Sequence, residues 1–158
     1  MNILVLCTGN SARSILLEAL LNHYGTGRVT AWSAGSHPVG SVHPGAFALL
    51  VRNGIATTGL SSKSWDRFSG SNAPAMDIVI TVCDNAAGEI CPVWPGTPLR
   101  VYWGVDDPAA APEEERPHAF HSVYGILASR VRMLLREPVE SMDQRSLGAL
   151  LNRIGGTG

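Results

Sequence analysis

Asn2-Ile3-Leu4-Val5-Leu6-Cys7-Thr8-Gly9-Asn10-Ser11-Ala12-Arg13-Ser14 sets the architecture of this chain. A short apolar run ends at Leu6, a small polar turn follows, and Ile15, Leu16, Ala19 and Leu20 then recur at helical spacing. This is a strand, a tight loop and a helix. Where such a loop leaves the carboxyl end of a parallel strand, its N–H groups converge on one spot, and the helix dipole adds positive potential there. Cys7 to Arg13 spells C-x5-R, with Ser14 directly after it.

Those residue types suit one chemistry. The backbone of Thr8, Gly9, Asn10, Ser11, Ala12 and Arg13 can curl around a tetrahedral oxyanion, Gly9 supplying angles other residues resist. Arg13 can grip two oxygens at once. Cys7, on the floor of the nest, is expected to ionise well below the usual value of about 8.5, and Ser14 can donate a hydrogen bond to its thiolate. A thiolate beneath a bound oxyanion is placed for in-line attack. C-x5-R alone also describes a buried cysteine with an accidental surface arginine. Its place between an apolar strand and an amphipathic helix favours the functional reading.

Outward from that loop, Arg28 to Ala34 reads as a second strand and Pro44 to Val51 as a helix. Residues 57–75 read mainly as loop, with one helical turn near Trp65. Asp77 to Val82 is a strand buried on both faces, and Leu99 to Trp103 a shorter one. Glu113, Glu114 and Glu115 open a long helix whose apolar face runs through Phe120, Val123 or Tyr124, Leu127, Val131 and Leu134. Leu147, Leu150, Leu151 and Ile154 mark a last short amphipathic helix before a loose Gly-rich tail. Strands alternating with helices imply an open, mainly parallel α/β sheet in one domain.

The bulk numbers agree. The chain has 158 residues, 45% hydrophobic and 16% charged, with a net charge of -1. That balance argues against a nucleic-acid or anionic-membrane binder, so any anion must be held locally. No apolar run reaches the roughly 20 residues of a membrane span, and the start lacks the pattern of a signal peptide. A cytoplasmic, reducing location follows as the expectation, in which Cys7, Cys83 and Cys91 stay thiols for redox or nucleophilic use, or are simply buried. His23, His37, His43, His118 and His121 read as surface residues, and Trp32, Trp65, Trp94 and Trp103 as packing, with Trp94 or Trp103 candidates to flank a pocket.

Val5 to Ser14 resembles the phosphate-binding loop shared by low-molecular-weight tyrosine phosphatases and the arsenate reductases related to them. The resemblance implies a four-stranded parallel sheet with helices on both faces, a cysteine nucleophile at Cys7 and an oxyanion-binding Arg13. In the strand order 2-1-3-4, the strands that end before Cys7 and Cys83 are neighbours, about 5 Å apart. Both thiols then meet at one crevice, and Cys91 follows across a small, polar segment able to rearrange. The chemistry suggests a relay by thiol–disulfide exchange: Cys7 attacks arsenate, Cys83 attacks Cys7, and Cys91 attacks Cys83. Alternatively Cys83 is a small buried hydrophobe and Cys91 incidental. Without a suitably spaced histidine, the three cysteines make a poor metal site.

Thr81 to Asn85, Cys91 to Gly96 and Trp103 to Pro108 resemble the three-cysteine, thioredoxin-coupled arsenate reductases. The match runs intermittently over 1–137, leaving 138–158 as a C-terminal extension with a short helix and loose tail. Where some relatives carry a second loop cysteine, this chain has Ala12. The resemblance implies arsenate as substrate, phosphate and sulfate as competing oxyanions, and no tightly bound cofactor. The reductant is external: thioredoxin, or glutathione with glutaredoxin. It also implies Asp107 as proton donor to the leaving oxygen, with Asp106 as alternate. An Asp-Pro turn capping the next helix explains the same residues. A potassium site on Asn10, Glu18, Ser33 and Asp66 is implied too, all oxygen donors. The plainer roles are a loop brace, a solvated helix residue and a strand end. Two other functions compete. A tyrosine phosphatase would use Cys7, Arg13 and Asp107 but not the other cysteines, and Ala109 and Ala110 stand where an aromatic would flank its substrate. An oxyanion or redox sensor would signal through Cys7.

Overall fold

The computed structural model of the chain describes residues 1–84 and 94–157. Four parallel strands, β1 (Asn2–Leu6), β2 (Thr30–Ala34), β3 (Ile78–Thr81) and β4 (Leu99–Tyr102), form one sheet in the order β2-β1-β3-β4. Among the described residues there are four α-helices: α1 (Arg13–Tyr24), α2 (Pro44–Arg52), α3 (Arg116–Leu135) and α4 (Gln144–Gly155). The expected order and parallel direction both hold.

Strand side chains alternate between faces, and the core divides accordingly. Ile3, Val5, Ile78 and Ile80 pack in one cluster with the apolar side chains of all four helices. Leu4, Leu6 and Val79 pack in a smaller cluster with Trp65, Phe68, Met76 and Trp94. The inner strands β1 and β3 are thus apolar on both faces, as their sequences require. β4 buries only Val101 fully, as suits an edge. Trp94 packs against Trp65 within the smaller cluster.

Several boundaries differ from the sequence reading for local reasons. The second strand begins at Thr30, because Arg28 is spent on the end of α3, donating to the carbonyls of Leu135 at 2.7 Å and Glu137 at 2.8 Å. The long helix begins at Arg116, leaving Glu113 to Glu115 in the preceding turn. Pro117 has no N–H to give and is tolerated only in a first turn, which places the start. α1 is buried continuously from Ser14 to Leu21, without a solvated face.

The C-terminal segment is not loose. Leu147, Leu150, Leu151 and Ile154 lie in the large cluster, and Trp103 donates its indole N–H to the Leu151 carbonyl at 2.9 Å. Buried Arg130 donates to the carbonyls of Trp103 at 2.8 Å and Thr157 at 2.6 Å. A guanidinium with its donors satisfied by backbone clamps the tail onto the end of β4.

Candidate active site

β1 ends at Leu6, and its register with both neighbours brings three strand ends to one edge: Leu6 lies opposite Ala34 and Thr81. Cys7 N–H still reaches the Ala34 carbonyl at 3.2 Å, and the chain then turns away. Beyond it the loop carbonyls are committed outward. Thr8, Gly9 and Ser11 accept from the backbone N–H groups of His37, Val39 and His43 at 3.0, 3.0 and 2.8 Å, and Ala12 accepts from Leu16 at 2.9 Å. With the carbonyls taken, amide N–H groups are what the loop can turn toward its centre. Gly35 makes the approach feasible, because a Cβ there would sit 2.3 Å from the Thr8 oxygen.

The left-handed residue of the loop is Asn10, with φ 46°, and not Gly9. Asparagine tolerates that region better than most residues, and here its side chain is held at both ends. Asn10 Nδ2 donates to Ser14 Oγ and Ser33 Oγ, each at 2.9 Å, while Oδ1 accepts from the Lys63 backbone N–H at 2.9 Å. Ser33 in turn donates to Glu18 Oε1 at 2.6 Å, and Lys63 Nζ stands 3.7 Å from the same oxygen. All five residues are buried. Burial raises the Glu18 carboxyl and lowers the Lys63 ammonium, and each charge pulls the other back toward its ionised form.

Cys83 follows β3 directly and lies against the loop. Thr8 N–H donates to Cys83 Sγ at 3.3 Å, and Thr8 Oγ1 is 3.6 Å from the same sulfur. Cys7 and Cys83 are buried thiols outside any disulfide, and the Cys83 sulfur acts directly on that of Cys7. That contact pushes the Cys7 thiol up, with burial second; the Arg13 guanidinium and the Thr8 backbone oppose it. Where the sequence reading expects a lowered Cys7, the neighbouring Cys83 thiol raises it. Two adjacent thiols hold one negative charge readily and a second only with difficulty, so they titrate as a pair.

Arg13, the first residue of α1, donates from Nη1 to the Val105 carbonyl at 3.0 Å, and its Nη2 lies 3.8 Å from Asp107 Oδ2. Asp107 also accepts from the Ala109 N–H at 3.0 Å, capping the 3-10 turn Pro108–Ala110. The cap and the approach to Arg13 coexist, and the Asp107 side chain remains 44% exposed. Asp106 is exposed.

The sequence profile described as "Low molecular weight phosphotyrosine protein phosphatase" matches residues 2–146. The chain belongs to that family. Within the family its similarity runs to arsenate reductases. It is 34% identical over 129 residues to the arsenate reductase of Halalkalibacterium halodurans, covering 80% of this chain and 89% of that one. A solved arsenate reductase in its phosphate-binding state superposes with a TM-score of 0.69 at 27% identity, covering 85% of this chain and 96% of that one. The thioredoxin-dependent arsenate reductase of Corynebacterium glutamicum gives 0.64 at 26% identity, covering 85% of this chain and 60% of that one.

Within this phosphatase-family site, Cys7, Arg13, Cys83 and Asp107 come together; Cys91 lies outside the described residues. The Ser14 hydroxyl accepts from Asn10 Nδ2 and keeps its own proton to give. The potassium set comes together only in part. Asn10, Glu18 and Ser33 share one cluster, but Asp66 is exposed on the 3-10 turn Trp65–Phe68, and Lys63 stands at the carboxylate instead.

The sequence reading missed three contributors. Tyr102, half-exposed, donates to Asp84 beside Cys83, and that bond raises its phenol. His43 caps α2 by accepting from the Gly45 N–H at 2.9 Å, so it is structural. Lys63 carried the plainest signal, being the only lysine in a chain with 12 basic residues.

Proposed function

We propose that this protein is an arsenate reductase that works by a three-cysteine relay. The observation that carries the reading is the second thiol, Cys83, whose Sγ lies 3.3 Å from the N–H of Thr8, the residue next to Cys7 in the oxyanion loop. A phosphatase needs one thiolate there; a reductase needs a second sulfur within reach of the first. The similarity to arsenate reductases supports the same choice.

Arsenate enters the loop against its amides and Arg13. The pair's single charge is used on Cys7, its remaining proton resting on Cys83. Cys7 Sγ attacks arsenic, and an arsenate oxygen leaves as water with a proton from Asp107. Cys83, deprotonated in its turn, attacks Cys7 Sγ; the S–As bond breaks, its electron pair stays on arsenic, and arsenite departs. Cys91 then attacks Cys83, freeing Cys7 and leaving the Cys83–Cys91 disulfide for external reduction. Two thiols are oxidised as As(V) becomes As(III). Thioredoxin is the reductant we favour, from the thioredoxin-dependent relative, over glutathione with glutaredoxin. The relay needs a reducing, cytoplasmic setting, and phosphate and sulfate should compete for the loop. Among the described residues no helix is long and apolar enough to cross a membrane.

Reduced protein given less than one equivalent of arsenate should release arsenite and yield a Cys83–Cys91 peptide on mapping, with Cys7 open to alkylation. If aryl phosphate were hydrolysed briskly while arsenate stayed unreduced, the protein would be a tyrosine phosphatase.

A further inference from the structure

The buried layer beneath the loop contains a carboxylate in an awkward place. Glu18 projects from the first half of α1, reaches Ser33 on β2, and through Ser33 and Asn10 is wired to the residue that gives the loop its left-handed turn. A negative charge there both lacks water and opposes any anion held above it. It must be offset by a cation that is itself buried.

The donor set does not suit an alkali metal ion. Asn10 Oδ1 already accepts from the Lys63 N–H, Ser33 Oγ donates to Glu18 and accepts from Asn10 Nδ2, and Asp66 is exposed on its turn. The Lys63 ammonium lies 3.7 Å from Glu18 Oε1 and donates to the Ser61 carbonyl at 2.7 Å. A second cation on one carboxylate would meet the repulsion of the first. Lys63 is also 9% exposed and Glu18 8%, so solvent does little to share the load.

We propose that the Lys63 ammonium is the built-in cation of this oxyanion loop, neutralising Glu18 and bracing Asn10, so that loop order and anion binding need no potassium. Lys63 is a positioning residue, acting through Glu18, Ser33 and Asn10. Its own backbone N–H on Asn10 Oδ1 and its ammonium on Glu18 grip the network at two points, which ties the 61–64 segment to the loop. The inference rests on reading the loop as an oxyanion site, but not on arsenate turnover.

The test compares potassium chloride with tetramethylammonium chloride at equal ionic strength, reading the melting temperature and the calorimetric affinity for inorganic phosphate. Wild type should give the same values in both salts. Lys63→Ala in tetramethylammonium should melt roughly 5–10 °C lower and bind phosphate about tenfold more weakly. Potassium should restore at least half of each loss, and adding Glu18→Gln to Lys63→Ala should remove the potassium response. A wild type strengthened by potassium would overturn the proposal, as would a Lys63→Ala loss that potassium leaves untouched, which is the mark of packing alone. The wild-type comparison stands even if Lys63→Ala does not fold. A variant-free measurement is also open: protein labelled at lysine nitrogen should show one buried ammonium resonance that moves with phosphate and not with potassium. A resonance at the position of a free, solvent-exchanging lysine would sink the assignment. Failure of wild type to bind phosphate in either salt would count against the oxyanion site itself, while the melting temperatures would still judge Lys63.

Discussion

Between Cys7 and Arg13, Asn10 and Ala12 are buried and four successive or near-successive carbonyls are bonded to neighbours; between Val105 and Pro108, both aspartates are exposed. The two loops meet at one edge of the sheet, joined by Arg13, which begins α1 and donates to Val105. Their construction matches different demands. A site that stabilises charge must hold its dipoles fixed before the anion arrives, and the first loop is held by a buried polar layer. A proton donor must be recharged from solvent after each cycle, and the Asp107 loop leaves its carboxyl open to water while one N–H caps it in place. In the proposed relay the fixed loop carries the sulfur chemistry and the open one the proton.

The largest effects should come from the thiols seated at the fixed loop. Cys7→Ser should lower arsenate reduction by at least ~10⁴-fold, since a hydroxyl cannot replace the thiolate nucleophile. Cys83→Ser should also stop arsenite release, but with a different residue of chemistry: arsenic should stay attached to Cys7, visible as an added mass on the intact protein. Equal behaviour of the two variants, with neither adduct nor release, would dissolve the distinction between nucleophile and resolving thiol.

Next in size is the open loop. Asp107→Ala should slow single-turnover arsenite release by about 10²–10³-fold, the usual worth of a placed proton donor, and should leave phosphate affinity within a few fold. Asp106→Ala should change little. The reverse ranking would move the proton to Asp106 and reduce Asp107 to a turn cap. Arg13→Lys sits at the junction, and phosphate affinity should fall roughly 10–50-fold because an ammonium cannot reproduce the planar two-pronged grip. It should also free the Val105 carbonyl, loosening the open loop; an unchanged affinity would remove Arg13 from the anion site.

The same contrast explains what could be read from sequence. The strands, their order and the C-x5-R loop were legible because they rest on local signals: apolar runs in Ile3–Leu6 and Ile78–Ile80, and a motif of fixed spacing. The turn capped by Asp107 was legible through its neighbouring proline. The brace beneath the loop was not, since Glu18, Ser33 and Lys63 are separated by 15 and more residues along the chain and meet only through folding. Glu18 looks like a solvated helix residue until α1 proves buried from Ser14 to Leu21, and Asp66 has the right chemistry with its side chain exposed to solvent. The shift of Cys7 was hidden for the same reason: its cause is Cys83, which is 75 residues from Thr8 in sequence and in contact with the loop in space.

The smallest effect isolates the backbone of the fixed loop. Asn10→Ala and Asn10→Gly delete the same side-chain hydrogen bonds to Ser14, Ser33 and Lys63, so both should be clearly destabilised. They differ in one respect. At φ 46° alanine pays the steric cost of its Cβ, whereas glycine does not. Glycine gives part of that back through its freer unfolded chain, so Asn10→Gly should be the more stable of the two by about 1 kcal/mol, or roughly 2–4 °C in melting temperature. Phosphate affinity should rank the same way, since a loop that must be pushed into its anion-binding turn loses affinity in proportion. An alanine variant at least as stable as the glycine one would mean that the loop relaxes out of the left-handed turn once the side chain is gone. The buried layer, and no backbone preference, would then be all that holds it there.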